Sequence, residues 1–128
     1  MGIGAGGAYR PQARRALGVG SMSALALMRD YLTVIRGLLA GERINHEGET
    51  VTLRGMRLGI VPPPRTPVYL GALGPRMLEL SGELADGASL NWCTPEQIAW
   101  SRERIDAGAA RAGRQPSEIK MAEYIRIC

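Results

Sequence analysis

From residue 68 to the end, the sequence switches repeatedly between short apolar runs and amphipathic stretches, and this most restricts the folds open to it. "VYLGA" (68–72) is a short run rich in strand-forming residues, and a helix is expected from Pro75 to about Leu84. "DGASLNW" (86–92) begins as a turn and ends as a second strand. The next helix announces itself: Thr94 as N-cap, Pro95 at the first helical position, Gln97 completing a capping box. Ile98, Ile105, Ala109 and Ala112 are its expected core face, and Gly113 ends it. A third strand follows at about Met121 to Ile127. Strand, helix, strand, helix, strand implies a parallel sheet, hence an α/β fold.

The preceding part reads differently. Residues 2–7, "GIGAGG", are expected to be flexible, and "AYRPQARRALGVGSM" reads as a loop. A helix is expected from Ser23 to Ala40, with Leu25, Met28, Leu32, Ile35 and Leu39 on one face. Ser21 or Ser23 can cap its start, and Gly41 suits its end. "ERINHEGETVTL" suggests a hairpin with Gly48 in its turn, and the run Pro62 to Pro64 marks a loop.

Composition removes several function classes. Net charge is +4, and of 16 basic residues only Lys120 is a lysine. They are spread along the chain, which describes a solvated surface, or more narrowly a basic groove for a phosphorylated ligand. There is no basic block, no aromatic interleaving and no Phe, so nucleic acid is not an expected partner. No run of 18 apolar residues is present, so no membrane span is expected, and the N-terminus lacks the pattern of a secretion signal. Cys93 and Cys128 have no CxxC spacing and no His cluster; a reduced, cytoplasmic setting without a metal site is expected.

The chemistry concentrates in "GALGP", between the strand at 68–72 and its helix. In parallel α/β folds, ligands sit at the C-terminal ends of strands. Gly71 and Gly74 let backbone approach a ligand with no Cβ in the way. Pro75 starts the helix where a missing N–H is harmless. The N–H groups of Leu73, Gly74, Arg76 and Met77 would then point out of a helix N-terminus, which favours an anion, typically phosphate, with Arg76 adding a charge. A plain tight turn between strand and helix accounts for the same residues.

"PVYLGALGPRMLELSGELADGASLNW" (67–92) resembles the luciferase-like monooxygenase superfamily of flavin- and deazaflavin-dependent oxidoreductases, in the branch with methylenetetrahydromethanopterin reductase. "GIGAGG", "MRDYLTVIRGLLAGERINHEGE" and "GAARAGRQPSEI" resemble further segments of that family. The resemblance implies a (β/α)8 TIM barrel, here partial, with the hairpin as an insertion. It implies a single luciferase-like domain over residues 1–128, a fragment covering the middle and later part of a barrel that takes about 250 residues. It implies coenzyme F420 (favoured) or FMN, with the cofactor phosphate against Ala72, Leu73 and Gly74. The expected cofactor-binding set is Gly71, Ala72, Leu73, Gly74, Pro75 and Arg76. Hydride transfer to a small organic substrate is favoured over monooxygenation. The alternative is a catalytically silent half-barrel that serves only as a packing or phosphate-binding module. Two open sheet edges would favour a homo-oligomer, and barrel-facing Leu70 and Leu90 would lack layer partners.

Other candidates weigh less. "GIGAGG" also matches GxGxxG through Gly2, Gly4 and Gly7, but no strand precedes it and Pro11 interrupts the helix that a dinucleotide site needs. The resemblance makes it a barrel strand end near the cofactor ring. Asp30, at roughly the right spacing for a ribose contact, lies inside an amphipathic helix. His46 is expected in an exposed structural role, and Asp86 to fix the turn into the next strand. Asn91 and Trp92 stand where ligand-facing residues belong, although Trp92 suits a core equally well. Cys93 is expected to be a small packed residue. No catalytic acid or base is assigned.

Overall fold

The alternation that begins at residue 68 is built as a parallel sheet. A computed structural model of the chain describes residues 1–6, 10–16, 18, 20–60 and 65–127; Gly7, Pro62–Pro64 and Cys128 lie outside them. It divides into two compact units, Met1–Gly4 with Pro67–Cys128, and Ala5–Thr66.

The first unit holds β1 (Gly2–Ile3), β4 (Tyr69–Gly71), α3 (Pro75–Leu84), β5 (Gly87–Asn91), α4 (Pro95–Arg111), a 3₁₀ turn (Pro116–Glu118) and β6 (Lys120–Tyr124). Its sheet runs β1-β4-β5-β6, with every neighbouring pair parallel. The glycine-rich start is therefore a strand and not a flexible lead, in line with the strand end that the resemblance implied: Gly2 and Ile3 pair with Tyr69 and Leu70. Two residues carry too little local pattern to announce a strand, and the partner supplies the constraint. The last strand is shorter than expected; Ile125 and Ile127 lie beyond it, exposed.

Alternation along β5 sorts its side chains. Ala88 and Leu90 join Leu78, Ile105, Ala109 and Ile119 in one buried cluster, so they face the helix layer, while Ser89 and Asn91 face away and are exposed. Leu70 is in register with Ala88 and shares its face. The expectation that Leu70 and Leu90 face a barrel interior is thus corrected. The apolar residues of these strands turn toward α3 and α4, which are the apolar partners the unit itself provides. Ala112, expected in the core, is exposed, one residue past the end of α4.

The two helices meet at glycines. A Cβ on Gly82 would overlap Ile105 O and stand 2.7 Å from Ala109 N; one on Gly108 would overlap the backbone of Glu79. Two helix backbones this close leave no room for even a methyl group. Glu79 adds ion pairs across the seam, to Arg111 at 2.8 Å and Arg104 at 3.9 Å, and Arg114 donates to the carbonyls of Gly82 and Ala85.

The second unit holds α1 (Pro11–Ala16), α2 (Ala24–Leu39) and the antiparallel pair β2 (Ile44–Glu47) and β3 (Thr52–Met56). α1 replaces part of the expected loop, with Pro11 at its first position. Ser23 caps α2 through its side chain, which accepts from Ala26 N–H. Met28, Leu32, Val34 and Leu38 are buried, while Leu25, Ile35 and Leu39 are half-buried. The hairpin closes through Gly48 N–H to Val51 O, as its sequence suggested.

Candidate functional site

The sheet being parallel, the chain leaves β4, β5 and β6 at the same end, and the expected site residues gather there. After Gly71, Ala72 continues the ladder for one more bond, donating its N–H to Ser89 O at 3.1 Å. Its methyl is buried in the core cluster. Ala72 therefore anchors the loop, and its own donor is committed to the sheet. Gly71 lies beside β1, where an added Cβ would make only ordinary contact with Ile3 O at 3.5 Å and Gly4 Cα at 3.8 Å. This sets Gly4 against the same strand end.

Leu73 and Gly74 then turn outward. Gly74 is the N-cap of α3 at φ −87° and ψ 155°, a conformation open to any residue, and it offers no side-chain cap. Nothing lies within 4 Å of where its Cβ would be. Met77 N–H, expected to be free, is taken by Gly74 O at 3.1 Å, and Leu78 N–H by the same oxygen at 3.0 Å. Among the described residues, no acceptor takes the N–H groups of Leu73, Gly74 or Arg76. Pro75 has none to satisfy. Leu73 is 54% exposed and Arg76 is exposed. The junction thus carries three backbone donors that no acceptor among the described residues takes, together with the exposed Arg76, at the positive end of a helix dipole.

The loop after β5 is unlike it. Trp92 adopts φ +55°, a left-handed conformation rare for a bulky residue, worth about 1–3 kcal/mol of local strain. Two bonds hold it: Trp92 N–H to Tyr124 O at 3.2 Å, and Cys93 N–H to Glu123 Oε1 at 2.9 Å. Trp92 is 60% exposed, so it is not part of the core that this chain builds, and Arg126 lies 5.4 Å from the ring centroid. Asn91 is exposed next to it, and Cys93 packs half-buried against the core cluster. Asp86 does fix its turn: Oδ2 accepts Val68 N–H at 2.8 Å while its own N–H bonds Val68 O.

His46 and Asp30 belong to the second unit. His46 is half-buried, contrary to the exposed role expected, with Nε2 3.1 Å from Asp30 Oδ1. Asp30 Oδ2 accepts from Thr50 N–H, Thr50 Oγ1 and Val51 N–H. Burial raises the Asp30 pKa, but the bonds from Thr50, His46 and Val51 outweigh it and hold the carboxyl at about 2. Asp30 ties the hairpin turn to α2. No pattern local to α2 shows this, because the donors lie 16 to 21 residues away. Among the described residues, no group of three or more His, Cys, Asp or Glu side chains could hold a metal ion, and no helix is long and apolar enough to cross a membrane.

The model of the luciferase-like monooxygenase family matches residues 1–128, the whole chain. The chain belongs to that family. A 5,10-methylenetetrahydromethanopterin reductase of Archaeoglobus fulgidus is 35% identical over 124 residues, 97% of this chain and 36% of the reductase. The structure of a coenzyme F420-dependent tetrahydromethanopterin reductase from Methanopyrus kandleri superposes with a TM-score of 0.79 at 26% identity, over 96% of this chain and 39% of that one. An F420-dependent secondary alcohol dehydrogenase, at 22% identity and a TM-score of 0.81, shares the fold, with 38% of its length covered. Within the family the chain sides with the methylenetetrahydromethanopterin reductase branch, and its parallel strands and helices correspond to part of a (β/α)8 barrel. It spans little more than a third of the relatives it matches.

Proposed function

We propose that this luciferase-like chain forms the phosphate-holding part of an F420-dependent oxidoreductase that transfers hydride to or from a small organic substrate, with FMN as the second cofactor choice. One observation carries the reading. Gly74 is required neither by its backbone angles nor by any neighbour, it brings no side-chain cap, and the N–H groups of Leu73, Gly74 and Arg76 at this helix start are open. A residue kept small with nothing of its own chain to avoid fits a molecule that comes close. Open N–H donors, a helix dipole and Arg76 all favour an anion there.

The residues present fit a phosphate-bearing cofactor. The N–H groups of Leu73, Gly74 and Arg76 would hold its phosphate, and Arg76 would neutralise the remaining charge. Gly71 and Pro75 shape the loop, and Ala72 pins it to β5. When bound, the deazaflavin or flavin ring supplies the hydride chemistry. The chain's part is to fix the cofactor's far end so that the ring is oriented. The F420-dependent names among the relatives favour F420 over FMN.

Titration of the chain with FMN and F420, against riboflavin as the form without phosphate, tests this. Phosphate-dependent binding that Gly74→Asp abolishes is expected, since a carboxylate would stand where the phosphate sits. Equal affinity for FMN and riboflavin, or no effect of Gly74→Asp, would contradict it.

A further inference from the structure

We propose that Trp92 is the stacking platform for the ring system of the same cofactor, its indole held in place by Arg126; this rests on the phosphate reading above. The backbone at Trp92 is left-handed, which a large side chain resists, and the strain is not offset by burial because the ring is mostly exposed. Both flanking amides are tied down, to Tyr124 O and to Glu123 Oε1. The fold holds a tryptophan outward against its own preference, at the strand ends where ligands of parallel α/β folds sit.

Trp100 provides an internal comparison. It too is exposed, at 39%, and has an arginine near its ring, Arg104 at 6.0 Å. It lies within α4, however, away from the strand ends. An exposed indole beside an arginine is therefore not special in this chain; the left-handed backbone at the rim is what sets Trp92 apart.

The spacing suits one molecule. Ala72 bonds Ser89, so the loops at Leu73–Gly74 and Trp92 leave adjacent strands side by side. With strands about 4.8 Å apart and a rise of about 3.3 Å per residue, the two loops lie within roughly 10 Å. A five-carbon chain linking a phosphate to a planar tricyclic ring covers a distance of that order. Arg126 is placed over the Trp92 ring, and an indole so held offers its free face to an electron-poor planar ring.

The test follows the emission of FMN itself, with the chain in excess, because stacking on indole quenches flavin fluorescence. Trp92→Gly is the informative variant, since glycine suits the left-handed backbone. It is expected to raise Tm, to weaken FMN binding about tenfold and to abolish the quenching. Trp92→Tyr should retain part of the quenching, and Trp100→Ala should change none of it. If Trp92→Gly binds and quenches like the parent chain while Gly74→Asp still abolishes binding, the platform is refuted and the phosphate reading stands. If the parent chain binds neither F420 nor FMN, or Gly74→Asp binds as well as the parent, the phosphate reading falls and the platform with it.

Discussion

Helices α3 and α4 follow neighbouring parallel strands, and each begins with proline at its first position, yet their starts are opposites. At α4, Thr94 Oγ1 accepts Gln97 N–H at 3.3 Å and Gln97 Oε1 accepts Thr94 N–H at 2.8 Å, so the start is closed on itself. At α3, Gly74 provides no cap, and the N–H groups of Leu73, Gly74 and Arg76 are left open. A good cap adds about 1 kcal/mol to a helix, and α3 goes without. The same connection is used once for stability alone and once with its donors held out for something else. The hairpin turn of the second unit has its donors closed in the same sense as the start of α4, because Asp30 takes up the Thr50 and Val51 N–H groups.

The comparison can be broken at four points. The largest effect is expected at the seam on which both helix starts depend. Gly108→Leu would force the α3 and α4 backbones apart and should cost more than about 4 kcal/mol, read as loss of a cooperative thermal transition. Next, Gly74→Asp should weaken phosphate-cofactor affinity at least about 100-fold while leaving Tm equal or slightly higher, because aspartate is a good N-cap on the right end of the dipole. Third is acid. The Asp30 carboxyl is held near 2 against an ordinary value of 3.8, so its contribution is complete above about pH 4 and lost as pH falls toward 2. Amide exchange at Thr50 and Val51 should accelerate over that window, and Asp30→Asn should remove the dependence at a cost of about 1–3 kcal/mol. The smallest effect is at α4: Thr94→Ala should lower stability by about 1 kcal/mol with cofactor affinity unchanged. A tenfold drop in affinity there would erase the distinction between the two starts.

What was legible in the sequence follows the range of the forces involved. The bounds of α3 and α4 could be read because Pro75, Thr94, Pro95, Gln97 and Gly113 act within one turn of the helix ends. The hairpin could be read from Gly48 and its flanking alternation. β1 could be read only from the resemblance and not from its own residues, since two residues become a strand only beside Tyr69 and Leu70, more than 60 positions later. Asp30 looked like one polar residue of an amphipathic helix because its donors are remote. Gly82 and Gly108 do carry a local signal: glycine inside a helix lowers its propensity, and a close helix contact is a common reason to find it there. Gly71 to Arg76 lie between the end of β4 and the first turn of α3, where their sequence put them, but the use of Ala72 N–H by Ser89 and of Met77 N–H by Gly74 is visible only in three dimensions. The left-handed Trp92 has no counterpart in residue type or spacing.

The open start of α3 can be observed directly by following backbone amide resonances of the ¹⁵N-labelled chain during titration with FMN and, separately, riboflavin. The account predicts that the Leu73, Gly74 and Arg76 amides shift most, and downfield, with FMN and stay in place with riboflavin, while the Thr94 and Gln97 amides move with neither. FMN-induced shifts centred on the start of α4, or equal responses to both compounds at Leu73 and Gly74, would contradict it.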